Sequence, residues 1–122
     1  MHIKLFTALI LAGLATPALA EPPKAGETSA GPALVDSAGM TLYTFDKDAD
    51  GKSNCSGGCA SNWPPAAAAA SDAASGDFSI IKRDDGSSQW AHKGKPLYTW
   101  VNDTKAGDAT GGSVPGWHVA VP

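Results

Sequence analysis

Short runs of alternating apolar and polar residues, separated by turn-forming residues, make up most of the chain from position 33 onward. The first two runs, Leu34-Val35 and Met40–Phe45, flank turn residues at 36–39 and predict a β-hairpin. Four more strands are predicted, with long loops or turns between them, at 78–82, 88–92, 96–101 and 117–121. We therefore predict a small all-β domain of about six strands, packed as a sandwich or a partly open barrel.

The segment between the two groups of strands has a different composition. Ala66 to Ala70 follow Trp63-Pro64-Pro65 and are compatible with one or two helical turns, because Pro is tolerated at a helix start and Ala favours helix. Tryptophans are spread over the whole pattern, and we expect all four to contribute to the core: Trp63, Trp90, Trp100 and Trp117.

Two ten-residue stretches carry the same motif. Gly39–Asp48 and Gly94–Asp103 share Gly, Leu, Tyr, Thr, an aromatic residue and Asp at equal spacing. A glycine-containing loop and a tryptophan, Trp63 or Trp117, follow each stretch. The domain at 33–122 is therefore predicted to be a pseudo-symmetric pair of repeats, at about 33–65 and 78–121.

The first 20 residues have the pattern of a secretory signal peptide: a charged start, an apolar centre and the small-x-small end Ala18-Leu19-Ala20. The apolar stretch is shorter than the roughly 20 residues that a membrane span needs, so no span is predicted. Cleavage after Ala20 would deliver the protein to the periplasm or the exterior. Residues 21–32, rich in Pro, Gly, Ser and Ala, are predicted to form a flexible tail.

The charge balance indicates which classes of partner are not expected for this protein. Twelve acidic residues against nine basic ones give a formal net charge of −3, with no basic cluster. Nucleic acids and anionic membranes are bound through clustered Lys and Arg, so neither is an expected partner. The expected partner is an unknown small molecule or an envelope component.

The repeated motif supplies the candidate binding residues. In each copy the Tyr and the following aromatic share one strand face, and the Asp falls just past the strand end, where it can accept hydrogen bonds from a turn. One interpretation is a pair of core aromatics with a turn-locking Asp. The other is a ligand groove along the pseudo-two-fold axis, lined by Tyr43, Phe45, Asp48, Tyr98, Trp100 and Asp103.

The two cysteines predict a structural disulfide. Cys55 and Cys59 are separated by Ser56-Gly57-Gly58, which lets the sulfurs approach, in a chain expected to reach an oxidising compartment. A thiol oxidoreductase would show Cys-x-x-Cys within a βαβ pattern, which is missing. Copper is an alternative, because reduced thiolates are soft ligands that could be joined by Met40, His92 or His118.

Three alternating carboxylates resemble the opening of a calcium loop. Asp46, Asp48 and Asp50 are followed by Gly51, but the twelfth position is Gly57, where such loops have a bidentate Glu. A weak calcium site and an ordinary solvated turn both remain open. No nucleophile lies in a Gly-x-Ser-x-Gly context or another catalytic arrangement, so no catalytic residue is assigned.

The duplicated Tyr-x-aromatic-x-x-Asp motif, with Cys-Ser-Gly-Gly-Cys-Ala and Trp-Pro-Pro between its copies, resembles a bacterial secreted-repeat family, also described as predicted lipoproteins. The resemblance covers nearly all of residues 33–121 and implies export without implying an activity. Lipoproteins need a cysteine at the cleavage site, whereas Glu21 follows Ala20 here. A lipid anchor is therefore not expected.

Three functions remain in order of preference. The first is a non-catalytic exported envelope protein that binds a ligand or partner through the aromatic-acid motifs. The second is a periplasmic protein that binds calcium or copper. The third is an enzyme whose reaction the sequence does not indicate; no other cofactor is predicted.

Overall fold

The computed structural model describes residues 21–122, which form seven short strands, one short α-helix and one 3-10 helix. The elements in chain order are β1 Lys24–Thr28, β2 Gly31–Val35, β3 Tyr43–Phe45, α1 Gly58–Asn62, β4 Phe78–Lys82, β5 Ser88–His92, β6 Lys95–Pro96, the 3-10 helix Thr110–Ser113 and β7 Trp117–Val119. The all-β prediction is confirmed, with one strand more than expected. The strands form three small antiparallel sheets, β1-β2, β3-β7 and β4-β5-β6, and these do not close into a barrel.

The residues predicted as a flexible tail differ most from expectation. Lys24–Thr28 form strand β1, paired along its full length with β2. Composition does not reveal this strand because its own side chains are mostly exposed, whereas its partner carries the buried residues Ala33, Leu34 and Val35. The tight turn between them ends at Gly31, whose φ of 91° suits glycine. The predicted signal peptide, residues 1–20, lies outside the described residues.

The alanine run is not helical. The Ala66 N–H donates to the Leu97 carbonyl at 2.9 Å, and the Ala66 carbonyl accepts from Trp90 at 2.8 Å, so this segment extends along the second repeat. The helix that does form, α1, lies earlier and contains Cys59. Pairing with a neighbouring strand has overridden the helical propensity of alanine.

The two repeats exchange their end segments. Strand β7, from the second repeat, pairs with β3 of the first, with Tyr43 opposite Val119 and Phe45 opposite Trp117. In return, Thr99 N–H donates to the Pro64 carbonyl at 2.9 Å. At the centre, Tyr43 and Tyr98 donate N–H groups to each other's carbonyls, at 2.8 and 3.0 Å, so the pseudo-two-fold axis passes between them.

The core has two parts. An aliphatic cluster with one indole fills the space between the sheets, and its buried members are Leu34, Leu42, Ala66, Trp90, Leu97 and Ala120. An aromatic cluster lies across the repeat boundary and includes Tyr43, Tyr98, Trp63, Trp117 and Cys55. Three of the four tryptophans are buried, as expected, while Trp100 is half-buried.

Candidate functional site

Four rings stack face to face across the repeat boundary; we call them the aromatic column. Their order is Phe45, Trp117, Trp63 and Trp100, with successive centroid distances of 4.3, 3.8 and 4.1 Å. The two inner indoles are only 5% and 4% exposed, whereas the outer rings are half-buried. The order follows from the exchange of end segments, because each motif aromatic lies beside the tryptophan of the other repeat.

Each tyrosine of the motif meets the column edge-on. The Tyr43 ring lies 5.3 Å from Trp63 at 78°, and the Tyr98 ring lies 5.1 Å from Trp117 at 89°. Such edge-to-face contacts place the positive edge of one ring against the negative face of the other. Both tyrosines are fully buried, so their hydroxyl groups need internal partners.

Those partners come from the opposite repeat. The Tyr43 hydroxyl donates to Asp103 Oδ2 at 2.6 Å, and the Tyr98 hydroxyl donates to Asp48 Oδ2 at 2.7 Å. The second oxygen of each carboxylate holds the loop of its own repeat, with Asp48 Oδ1 accepting the Asn54 N–H at 2.6 Å. Each Asp therefore locks a turn, as one interpretation predicted, and also ties the two repeats together.

Burial changes the acid–base behaviour of these groups. It raises the pKa of Tyr43 well above its usual range, and the hydrogen bond to Asp103 adds to the effect. Burial also raises the pKa of Tyr98 to about 12. The pKa of Asp48 is raised by burial, which outweighs the opposing hydrogen bonds from Asn54 and Tyr98. At neutral pH both tyrosines are therefore protonated donors.

Comparison with known proteins supports the duplicated architecture. A family model described as a secreted repeat of unknown function matches the chain twice, over residues 24–67 and 79–121. The chain belongs to this secreted-repeat family. The first match in the secreted-repeat protein starts at β1, so the repeat includes residues that composition had assigned to a tail. No curated protein and no solved structure matches the chain.

Membership of the secreted-repeat family agrees with the export expected from the sequence. Within residues 21–122, neither helix is long and apolar enough to cross a membrane.

The structure divides the six predicted binding residues into two groups. Tyr43, Tyr98 and Asp103 are buried in contacts between the repeats, and Asp103 is 6% exposed. Asp48 is half-buried and is engaged by Tyr98. These four residues form the first group, which serves contacts between the repeats. Phe45 and Trp100, at the ends of the aromatic column, form the second group and are half-buried. A ligand-binding role for any of the six stays a prediction.

The three carboxylates of the predicted calcium loop point to different partners. Asp46 pairs with His118, with 2.9 Å between Oδ1 and Nε2, while Asp48 binds Tyr98 and Asp50 lies against Gly94. Across residues 21–122, no three His, Cys, Asp or Glu side chains group closely enough to hold a metal ion.

The disulfide prediction is confirmed. Cys55 and Cys59 are bonded, with their Cα atoms 5.2 Å apart. Copper binding by thiolates would require reduction of this bond. The other soft ligands considered for copper, Met40, His92 and His118, are half-buried or exposed.

Sequence reasoning missed Arg83 and Ser53. Because the single hydroxyl hydrogen of Tyr98 is given to Asp48, Ser53 donates to the Tyr98 oxygen at 2.6 Å. Arg83 Nη1 donates to Ser53 Oγ at 2.9 Å. A directed chain of hydrogen bonds thus runs from a guanidinium to a carboxylate. Arg83 stands in a polar turn, and its one distinguishing signal is that it is the only arginine in the sequence.

Proposed function

We propose that this secreted-repeat protein is a non-catalytic exported binding protein, which contacts a ligand or an envelope partner through the open ends of its aromatic column. The observation that supports the proposal is the contrast within the column, whose inner rings are buried while Phe45 and Trp100 keep accessible surface. The pseudo-two-fold axis places one such ring at each end. A partner would cover apolar ring surface that water now contacts.

The outer rings are held rigidly. Phe45 lies in β3 and stacks on Trp117, and Trp100 stacks on Trp63. Aromatic side chains fixed in this way contribute large contact area and lose little conformational entropy on binding. Beside Trp100, Val101 is 46% exposed and enlarges the apolar surface at that end.

The polar groups of the motif support the column in this proposal. Each tyrosine hydroxyl is engaged by a carboxylate, and each carboxylate also holds a loop. Both tyrosines have raised pKa values and stay neutral, so they act as donors rather than as nucleophiles at physiological pH. Their role is to fix the two repeats, and through them the outer rings.

The test uses soluble peptidoglycan fragments as the probe, with binding followed by tryptophan fluorescence and calorimetry. We expect Phe45→Ala or Trp100→Ala to weaken binding about tenfold or more, as truncation of an aromatic anchor does. Val121→Ala is the control, because Val121 is 65% exposed and lies outside the column. Thermal melts of each variant check folding. Binding that is equally strong in all three variants would refute the role of the column.

A further inference from the structure

A cavity of about 370 Å³ lies beside the disulfide loop, away from the residues proposed above. The loop and α1 of the first repeat form one wall, and the turn after β4 of the second forms the other. Its lining residues are Ser53, Ser56, Gly57, Ala60, Arg83, Asp84 and Asp85. Arg83 is only 9% exposed, so a charged side chain nine-tenths buried forms part of this cavity.

The guanidinium of Arg83 is held by neutral groups. Nη1 donates to Ser53 Oγ and to Gln89 Oε1, both at 2.9 Å, and Nη2 donates to the Cys55 carbonyl at 2.6 Å. A guanidinium has five N–H donors, so Nε–H and one Nη2–H are left over. Among residues 21–122, no carboxylate oxygen lies within 4.0 Å of its nitrogens.

The negative charges that Arg83 attracts lie beyond ion-pair distance. One is Asp85, which lines the same cavity and whose pKa is lowered mainly by its own hydrogen bonds and in part by Arg83. Asp48 stands at the far end of the hydrogen-bond chain through Ser53 and Tyr98. The attraction of Arg83 lowers the pKa of Asp48, yet burial raises it by more. A buried cation without an adjacent anion is costly, and an anion entering the cavity would relieve that cost.

We propose that this cavity is a binding site for a small oxyanion, a carboxylate or a phosphate group, held by the unused N–H donors of Arg83. Planar guanidinium forks match both groups in geometry and charge. The Ser56 hydroxyl lines the same cavity and can donate to the anion, whereas the hydroxyl hydrogen of Ser53 is already donated to Tyr98.

The two acidic residues that line the cavity affect how strongly an anion can bind there. Asp84 is paired with Lys52 at 2.6 Å, which offsets its charge. Asp85 accepts the Ser87 N–H and hydroxyl, and these hydrogen bonds hold its pKa below the usual value, so it is negative at neutral pH. An exposed negative charge there opposes anion entry, so its removal is expected to strengthen binding.

The first repeat has no counterpart of this cation. The two motif copies lie 55 residues apart, as Tyr43 and Tyr98 show, so Thr28 occupies the position of Arg83 in the first repeat. Thr28 uses its hydroxyl locally, donating to the Gly31 carbonyl at 2.7 Å. The first repeat thus has an uncharged residue at this position, and the buried positive charge of Arg83 is a feature of the second repeat.

The single arginine makes the test direct. The Nε–H of Arg83 gives one resonance in a ¹H–¹⁵N spectrum of labelled protein, without assignment by mutation. The oxidised protein is titrated with sodium acetate, sodium phosphate or sodium chloride at matched ionic strength. We expect a saturable shift with acetate or phosphate, and whichever anion acts identifies the group. A shift no larger than that caused by chloride overturns the proposal.

Three variants separate ligand binding from a purely structural role. Arg83→Lys keeps the charge but loses the fork, so binding of the active anion, measured by calorimetry, is expected to weaken about tenfold or more. Asp85→Asn is expected to bind it more tightly, and Glu27→Gln, on exposed β1, to bind it as wild type does. If Arg83→Lys does not fold, the wild-type titration and the affinity of Asp85→Asn decide whether the cavity binds an anion.

Equal affinity in wild type and Asp85→Asn overturns the assignment. The outcome is independent of the aromatic column.

Discussion

The crossed tyrosine–aspartate pairs lead to a quantitative prediction about stability. Tyr43→Phe removes a hydroxyl that donates to Asp103 and accepts the N–H of buried Gly111 at 3.2 Å. Losing a hydrogen bond to a charged acceptor costs about 1.5–3 kcal/mol, and a buried N–H left without a partner costs about 1–3 kcal/mol more. We expect the free energy of unfolding to fall by about 2.5–6 kcal/mol, the sum of these two contributions.

The matched substitution in the other repeat should cost less. Tyr98→Phe removes the bond donated to Asp48 and the bond accepted from Ser53. Both partners are half-buried, so water can reach them when the hydroxyl is lost. We expect a loss of about 1–2 kcal/mol for this variant. Urea unfolding followed by tryptophan fluorescence measures both values, and unchanged m values would show that the same surface is exposed on unfolding.

A double-mutant cycle tests the crossing itself. Tyr43→Phe combined with Asp103→Asn should show a coupling energy of about 1–2 kcal/mol, because the two side chains are bonded although 60 positions apart. The same tyrosine substitution combined with Asp48→Asn, its own motif's aspartate, should be additive within about 0.5 kcal/mol. The reverse result, with coupling inside one motif and additivity across the repeats, would refute the exchanged arrangement.

Three further predictions concern packing, covalent structure and pH. Gly111→Ala would place a methyl group 2.8 Å from a buried indole, so we expect a destabilisation of about 1–3 kcal/mol in urea unfolding; no loss would contradict the close packing. Replacing Cys55 and Cys59 by alanine should cost about 2 kcal/mol, the chain-entropy value for so short a loop, and a reductant should then have no further effect on the melting temperature. Tyr98 has a folded pKa of about 12 against 10.0 when unfolded, so its contribution to stability is complete below pH 10 and is lost as pH rises toward 12. Tyrosinate absorbance should therefore rise together with unfolding, and a normal titration near pH 10 in folded protein would contradict the burial of both tyrosines.

Local patterns in the sequence were enough to predict much of the fold. Alternation of apolar and polar residues located the strands from 78 to 92, and the duplicated motif revealed two repeats. The spacing of Cys55 and Cys59 correctly predicted the disulfide. Each of these features depends on residues close together in the chain, where periodicity and spacing carry the information.

The missed features depend on partners far away in the chain. Strand β1 forms because β2 offers it a paired edge, although its own residues Lys24–Thr28 show no apolar pattern. The motif drew attention to the tyrosines and aspartates, but only the fold shows that each Asp meets the Tyr of the other repeat. The role of Arg83 could not be predicted for the same reason, because it depends on contact with the loop around Cys55, which is distant in the chain.

The exchange of end segments also determines when this protein can fold. Strand β3 ends at Phe45, but its partner β7 begins only at Trp117, so a chain secreted from its N-terminus keeps β3 without this partner until the last strand arrives. Such distant pairing slows folding and leaves exposed strand edges in the meantime. A half-length chain would have the same open edge permanently, and a second copy could supply the missing strand. We expect sedimentation of the isolated first repeat to show dimers or aggregates, and a folded monomer would contradict this dependence.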